Sequence, residues 1–157
     1  EFSDYARLLI ARPERVDISE AIEGWLKPYR LAPPGALRFE WHAPAGPALV
    51  VVDPRLLRRA VINLVENAVA AAGGRGQVCV RLHARGDEWV VEVEDDGPGI
   101  DPRKLEQLFE PDVTTRETGS GLGLPIVREA VEALGGRLDV DSEPGKGTRF
   151  SISLPGG

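Results

Sequence analysis

Two asparagines four residues apart are the first side chains in this sequence whose type and spacing could bind a ligand. Asn63 and Asn67 would lie one turn apart on one face of a predicted helix, away from its apolar stripe. The small residues Ala70 and Ala71 follow, so a ligand could approach this face closely. A carboxamide oxygen is a hard donor suited to Mg²⁺, which binds few protein groups together with phosphate. An isolated Asn-x-x-x-Asn pair is more often an ordinary polar helix face, so the pair needs support from other segments.

Two glycine-containing segments could bring the backbone close to a flat ring or to a phosphate. Residues 95–100 read Asp-Asp-Gly-Pro-Gly-Ile and end a predicted strand, where a carboxylate could accept a hydrogen bond from an amino group. Residues 119–124 read Gly-Ser-Gly-Leu-Gly-Leu and lead into a predicted helix, whose N-terminus favours anions such as phosphate. Each segment alone has a simpler explanation, which is a strand-ending turn for the first and a flexible loop for the second.

The composition argues against several classes of protein. With 157 residues, of which 42% are hydrophobic and 28% charged, the chain is typical of one soluble globular domain. The net charge of −6 and the lack of a basic stripe argue against a nucleic-acid partner. No run approaches the roughly 18 apolar residues of a membrane span, so we expect no membrane contact from this fragment. Cys79 is the sole cysteine, which excludes an internal disulfide and a cysteine-based zinc site, and its apolar neighbours predict a small buried residue.

The first residues predict the end of a helix that belongs to a preceding domain. Apolar side chains with helical spacing occur at Phe2, Tyr5, Leu8 and Leu9. Pro13 ends the pattern, and so short a helix needs something to pack on. The sequence contains no Met, and we expect it to be a piece of a longer protein.

Helices and short strands alternate along the rest of the chain. Helices are predicted after Ser19 as the N-cap, from Asp53-Pro54 to Gly73-Gly74, from Asp101-Pro102 to Phe109, and over Leu124–Leu134. Strands are predicted over Leu37–His42, Ala48–Val52, Val78–Ala84, Trp89–Glu94, Arg137–Asp141 and Thr148–Leu154. This order predicts an α/β two-layer sandwich, in which about three helices cover one face of a mixed, mostly antiparallel sheet. A βαβ nucleotide fold is disfavoured because the glycine clusters do not follow the first strand.

In their order and spacing, these segments resemble the ATP-binding catalytic domain of sensor histidine kinases. That family belongs to the GHKL superfamily, which also includes DNA gyrase, MutL and the heat-shock chaperone ATPases. The resemblance extends from about Pro13 to Leu154 and is strongest in the N box at 63–68, the first glycine box at 95–100, the F box at 108–111 with Thr114-Thr115, the second glycine box at 119–124, and the closing strand-turn-strand at 145–150. Residues 1–7 and the Phe-Glu-Pro of the F box are most similar to nitrogen-regulation-type sensor kinases.

The resemblance implies a site for ATP with Mg²⁺. Asn67 would ligate Mg²⁺, and Asn63 would assist through water or phosphate. Asp95 would accept a hydrogen bond from the adenine amino group, supported by Thr148. Further residues implied at the ATP site are Gly97 and Gly99, which would flank the base, together with Ile100, Phe109, Thr115 and Leu124.

The phosphates of ATP would be held by the second glycine box, which supplies Gly119, Ser120, Gly121, Leu122 and Gly123. Residues from about Asp101 to Gly119 would form a mobile lid, in which Arg116 would meet the γ-phosphate. Two positions depart from the family pattern. Ala70 stands where many relatives carry a basic residue, and Asp112 stands where an aromatic or apolar residue is common.

The family's phosphoacceptor histidine motif is missing, because His42 and His83 lie in predicted strands with the wrong neighbours. The resemblance therefore implies transfer of the ATP γ-phosphoryl to a histidine on the dimerisation domain of a parent kinase, and indirectly to a response regulator. It also implies that residues 1–13 end the dimerisation domain and its linker, that residues 14–157 form the catalytic domain, and that the location is cytoplasmic. Two alternatives remain, which are a catalytically silent nucleotide-binding module and an anti-sigma-type serine kinase of the same superfamily.

Overall fold

The computed structural model describes residues 10–109 and 124–156. The predicted N-terminal helix end, most of the predicted lid and the glycines of the second glycine box lie outside these ranges. No helix within the two ranges combines the length and the apolar content that a membrane crossing requires.

Seven strands and four helices are present in these ranges. The strands are β1 (Glu14–Asp17), β2 (Arg38–His42), β3 (Leu49–Val52), β4 (Gln77–Arg85), β5 (Glu88–Asp95), β6 (Arg137–Glu143) and β7 (Gly147–Pro155). The helices are α1 (Ile18–Leu31), α2 (Pro54–Ala72), the one-turn α3 (Leu105–Leu108), which follows a 3₁₀ turn at Pro102–Lys104, and α4 (Leu124–Ala133).

The strands form a five-stranded sheet and a separate pair. The order in the main sheet is β2-β4-β5-β7-β6, with β2 parallel to β4 and every other pair antiparallel. The second sheet consists of β1 and β3, which are antiparallel. The predicted mixed, mostly antiparallel sheet is therefore confirmed.

One face of the main sheet carries the hydrophobic core. Because side chains alternate along a strand, Val78, Val80 and Leu82 of β4 point to one face, and they are at most 2% exposed. The register places Val93 beside Val80 and Phe150 beside Val93 on that same face. Buried residues of α1, α2 and α4 join this cluster, so the helices cover this face. The other face bears mostly charged and polar side chains, and we call it the open face.

Helix α2 begins and ends as the sequence predicts. The Asp53 carboxylate accepts hydrogen bonds from the backbone N–H of Arg55 at 2.9 Å and of Leu56 at 3.4 Å, and Pro54 occupies the first turn. Gly73 ends the helix in the left-handed conformation, with φ of 67°. The predicted apolar stripe is buried, with its residues Leu57, Val61, Leu64, Val65 and Ala68 at most 3% exposed.

Two predictions at the N-terminal end were wrong or incomplete. The N-cap of α1 is Asp17 rather than Ser19, because the Asp17 carboxylate accepts from the N–H of both Ser19 and Glu20. Asp17 also accepts from the N–H of Ala48 at 3.0 Å, so the cap ties α1 to the segment before β3. Strand β1 was not predicted, since its four residues carry little pattern without their partner β3. The remaining strands extend one or two residues beyond their predicted limits or begin a residue later.

Replacing Asp53 by Ala should destabilise the fold more than the same change at a similar but less buried cap. Asp53 is 2% exposed and also accepts from the N–H of Arg12 at 2.7 Å, so Ala would leave three backbone donors without this acceptor. We expect Asp53→Ala to lower the free energy of unfolding by about 2 kcal/mol. Asp101→Ala is the control, because Asp101 caps an exposed 3₁₀ turn through one backbone N–H. Urea denaturation of both variants measures the difference, and equal losses would contradict this account of α2.

Candidate functional site

A cavity of about 590 Å³ opens where α2, the end of β5, the start of β7 and α4 meet. Its wall contains six of the residues implied by the family resemblance, namely Asn67, Asp95, Gly99, Ile100, Leu124 and Thr148. The other residues of the wall are Ala70, Ala71, Pro98, Asp101, Lys104, Leu108 and Phe150. The fold therefore brings side chains from distant parts of the sequence to one concave surface on the helix-covered side of the sheet.

Asn67 is the polar side chain of the cavity whose hydrogen-bonding atoms are left without partners in the described residues. Its side-chain oxygen and nitrogen are both buried, and neither has a hydrogen-bond partner within the described residues. Buried polar atoms are nearly always paired, because removing them from water without a partner costs free energy. A carboxamide that lines a cavity in this state can bind a ligand group or a cation through its oxygen.

Asp95 supplies a buried carboxylate to the same cavity. It is the last residue of β5, it is 6% exposed, and its β7 partner is Thr148. The pKa of Asp95 is raised to about 6, chiefly by burial and also by the neighbouring charges of Asp96 and Glu94. Hydrogen bonds from the backbone of Gly97, at 2.8 Å, and of Thr148 oppose this rise. The pKa of Asp95 is therefore near 6, so its carboxyl group gains or loses its charge within a few pH units of neutrality.

The adjacent Asp96 has a different role. Its carboxylate accepts from the backbone N–H of Gln77 at 2.9 Å, and the residue is exposed. Because side chains alternate at the end of β5, the Asp95 carboxylate points into the cavity and the Asp96 carboxylate lies outside it. The family resemblance likewise implies that Asp95, rather than Asp96, contacts the ligand.

Gly97 and Gly99 are required by close backbone contacts. A Cβ at Gly97 would lie 2.5 Å from the carbonyl oxygen of Ala71 at the end of α2. Gly99 has φ of 79°, and a Cβ there would lie 2.0 Å from the carbonyl oxygen of Glu143. The two glycines therefore let the loop after β5 pack between α2 and the β6–β7 turn. Gly99 lines the cavity and Gly97 does not.

Ser142 holds two residues of the cavity wall, Ile100 and Thr148, and the sequence did not reveal this role. Its hydroxyl accepts from the N–H of Ile100 at 2.8 Å, lies 2.8 Å from the Thr148 hydroxyl, and donates to the carbonyl of Gly147 at 3.1 Å. It thereby connects the loop that carries the first glycine box to β7. The only available signal was its position in the β6–β7 hairpin, where it is the direct partner of Thr148.

The other residues predicted for the site do not line the cavity or lie outside the described part of the chain. Phe109 does not line the cavity, but its ring packs edge-on against Phe150 with ring centroids 6.1 Å apart. Asn63 is half-buried one turn before Asn67 and is also outside the cavity wall. Thr115, Arg116, Gly119, Ser120, Gly121, Leu122 and Gly123 lie outside the described residues.

Comparison with solved structures defines the class of protein. The catalytic domain of histidine kinase ThkA matches with a TM-score of 0.80 at 25% identity, over 92% of this chain and 96% of that one. Full-length ShkA, solved in complex with AMPPNP, matches with a TM-score of 0.77 at 27% identity, over 92% of this chain and 31% of ShkA. The chain has the fold of a histidine kinase catalytic domain.

Comparison with sequences gives the family. Residues 52–157 match the family of histidine kinase-, DNA gyrase B- and HSP90-like ATPases, and the chain belongs to this family. The sensor protein TorS of Escherichia coli (strain K12) is 40% identical over 111 residues, which is 69% of this chain and 12% of TorS. The chain thus spans a small part of the length of such a relative.

The raised pKa of Asp95 predicts a pH dependence for binding adenosine. A carboxyl with a pKa of about 6 is ionised above that pH and protonated below it, and the ionised form is the better acceptor for an amino group. We expect affinity to fall about tenfold between about pH 8 and about pH 5. Calorimetric titration with adenosine, which carries no phosphate, measures this change. Asp95→Asn should bind more weakly and lose the dependence, and an unchanged pH profile in that variant would contradict the assignment.

Proposed function

We propose that this chain is the catalytic domain of a two-component sensor histidine kinase, which binds ATP with Mg²⁺ and transfers the γ-phosphoryl group to a histidine on a separate domain. The observation that carries the proposal is that one cavity contains both the carboxamide of Asn67, which has no hydrogen-bond partner in the part of the chain that the structure describes, and the buried carboxylate of Asp95. One group suits a hard cation and the other suits an amino group, which matches the two ends of an adenine nucleotide.

The adenine end of the nucleotide would lie at the end of β5. There Asp95 would accept from the amino group, while Ile100 and Leu124 offer apolar contact in the cavity wall. The hydroxyl of Thr148 is already engaged with Ser142, which leaves the Thr148 hydroxyl fixed in position. These contacts would orient the base without any change in the sheet.

The phosphate end would lie toward α2. Asn67 would hold Mg²⁺ through its carboxamide oxygen, and Asn63 would assist from one turn back. Bound Mg²⁺ would neutralise charge on the phosphates. Arg116 and residues 119–123 are proposed to contact the phosphates on the basis of the resemblance. Phosphoryl transfer depends chiefly on positioning and charge stabilisation, so the chain needs no nucleophile of its own.

Both histidines of the chain are poorly placed to receive the phosphoryl group. His42 of β2 and His83 of β4 lie on the open face, and each is within 3.1 Å of a glutamate, Glu40 and Glu92 respectively. The cavity is on the opposite, helix-covered side of the sheet. We therefore propose that the acceptor belongs to the dimerisation domain of the parent kinase, with a response regulator as the indirect partner.

The parent's organisation follows from the same proposal. Residues 1–13 would end the dimerisation-domain helix and its linker, and residues 14–157 would form the catalytic domain in the cytoplasm. The start of β1 at Glu14, where pairing with β3 begins, supports this boundary.

A catalytically silent nucleotide-binding module is the second candidate, and Ala70 is the observation that favours it. Ala70 lies in the cavity wall at a position where many relatives carry a basic residue. Lys104 counters this argument, because it places a basic side chain on the wall from the 3₁₀ turn. Catalysis therefore remains the favoured function.

Phosphoryl transfer to the parent's dimerisation domain tests the proposal. With γ-labelled ATP and Mg²⁺, we expect acid-labile label on the added domain and none on this chain alone. Asn67→Ala should reduce the rate at least about tenfold, because the cation loses its protein ligand. Gln77→Ala is the matched control, since it removes a carboxamide that lies outside the cavity wall.

Three outcomes would overturn parts of the proposal. Label on this chain alone would contradict the separate acceptor. Nucleotide binding without transfer would establish the silent module, and acid-stable label on a partner serine would establish the serine kinase.

Asp95 should also make the site select adenine over guanine. Adenine presents an amino donor where guanine presents a carbonyl acceptor, which an ionised carboxylate repels. A hydrogen bond to a charged group contributes on the order of 1.5–3 kcal/mol, so we expect at least about tenfold preference for ATP over GTP. Competition against a labelled adenine nucleotide measures the ratio, and Asp95→Asn should narrow it. Equal affinity of the unmodified chain for ATP and GTP would rule out Asp95 as the base-reading group.

A further inference from the structure

Cys79 lies on the open face of the sheet rather than in the hydrophobic core. It is 5% exposed, as expected for a small buried residue, but its neighbours Val78 and Val80 point to the core and Cys79 points away from it. Its cross-strand partners are Glu40 on β2 and Glu94 on β5. Within the described chain the thiol forms no hydrogen bond. The thiol is therefore buried without belonging to the hydrophobic core cluster.

The parallel pairing of β2 with β4 brings two further metal-binding groups to the thiol. Glu40 is paired directly with Cys79, and His42 follows two residues later on the same face. The ligand atoms of Glu40, His42 and Cys79 all lie within 4.8 Å of one another. A His42 ring nitrogen is 3.1 Å from a Glu40 carboxylate oxygen. The three residues thus present a nitrogen, an oxygen and a sulfur donor to one point.

The charges around this point favour a cation. Arg81 is a cation that acts on the Cys79 thiol, but its guanidinium is held by Glu94 at 2.8 Å and by Glu92 at 3.3 Å. Glu92 also contacts His83 at 3.1 Å. Glu40, Glu94 and Glu92 also act on the thiol, and their negative charge favours a cation there, although Arg149 is the cross-strand partner of Glu94 and lies close enough to act on Glu92. Burial raises the pKa of the Cys79 thiol although Arg81 opposes the rise, and a bound metal would stabilise the thiolate instead.

We propose that Glu40, His42 and Cys79 bind Zn²⁺ on the open face, through one carboxylate oxygen, one imidazole nitrogen and the thiolate. The fourth position is open to water, as in other three-ligand zinc sites. Binding displaces the thiol proton to solvent, and no bond other than S–H is broken. The site is separate from the nucleotide cavity, which lies across the sheet.

The donor set selects zinc over the cation of the nucleotide site. Thiolate and imidazole suit borderline and soft metals, whereas Mg²⁺ prefers oxygen ligands only. Tetrahedral zinc with bonds of 2.0–2.3 Å requires ligand atoms roughly 3.3–3.6 Å apart. The glutamate and histidine side chains are 48% and 57% exposed, so they can turn toward the buried sulfur. The metal would then connect the edge strand β2 to β4.

Zinc titration of the tag-free, reduced 157-residue chain tests the proposal. In the presence of excess Mg²⁺ and without nucleotide, calorimetry should detect one Zn²⁺ per chain. His42→Gln and Cys79→Ser should each weaken binding at least about tenfold. His83→Gln is the matched control, because His83 is paired with Glu92 on the same face but lies outside the trio, and it should bind as the parent chain does.

Cobalt provides a second readout that identifies the sulfur ligand. Co²⁺ bound at this site should show a thiolate-to-cobalt charge-transfer absorption, and Cys79→Ser should abolish it. His42 is more than half exposed, so His42→Gln remains decisive even if Cys79→Ser folds poorly. Equal zinc affinity in His42→Gln and the parent chain, or bound cobalt without the thiolate band, would overturn the site.

Discussion

The register between β5 and β7 is the constraint on which the rest of the site depends. It places Asp95 beside Thr148 at the cavity and Val93 beside Phe150 in the core. A slip of one residue would turn Asp95 to the open face and send Glu94 into the apolar layer. The free-energy cost of burying the Glu94 carboxylate among apolar side chains holds the register. The packing of the core and the placement of the Asp95 carboxylate at the cavity therefore have the same physical cause. The hydroxyls of Ser142 and Thr148 reinforce the arrangement from the neighbouring hairpin.

The site is assembled from groups that cost the fold free energy when no ligand is present. Asn67 buries a carboxamide that has no hydrogen-bond partner among residues 10–109 and 124–156, and Asp95 buries a carboxylate whose pKa is raised. Both lie on elements that are firmly held, since α2 is capped at both ends and β5 is a central strand of the sheet. Rigid elements can carry such polar groups because the favourable free energy of packing around them offsets the cost of burying the groups.

The parts of the fold that sequence could predict are those with local causes. The limits of α2 follow from Asp53, Pro54 and Gly73, which act within a few residues of their own position. Six residues of the cavity wall, among them Asn67 and Asp95, had been singled out through motifs whose order resembles a known family. What escaped prediction depends on partners distant in sequence. Strand β1 forms only because it pairs with β3. The contacts of Ser142 result from the register of the β6–β7 hairpin. The apolar neighbours of Cys79 do not show which face of the sheet its side chain lies on.

The charged outer strand β6 affects how copies of this domain can associate in concentrated solution. Among the described strands it pairs only with β7, so its outer side presents a row of backbone donors and acceptors that could pair with the edge of another molecule. Its exposed positions are Arg137, Asp139, Asp141 and Glu143, so every second residue carries a charge. A second copy that approached in strand-to-strand fashion would have to desolvate these groups. The edge is therefore protected against fibre-like association between copies of the chain.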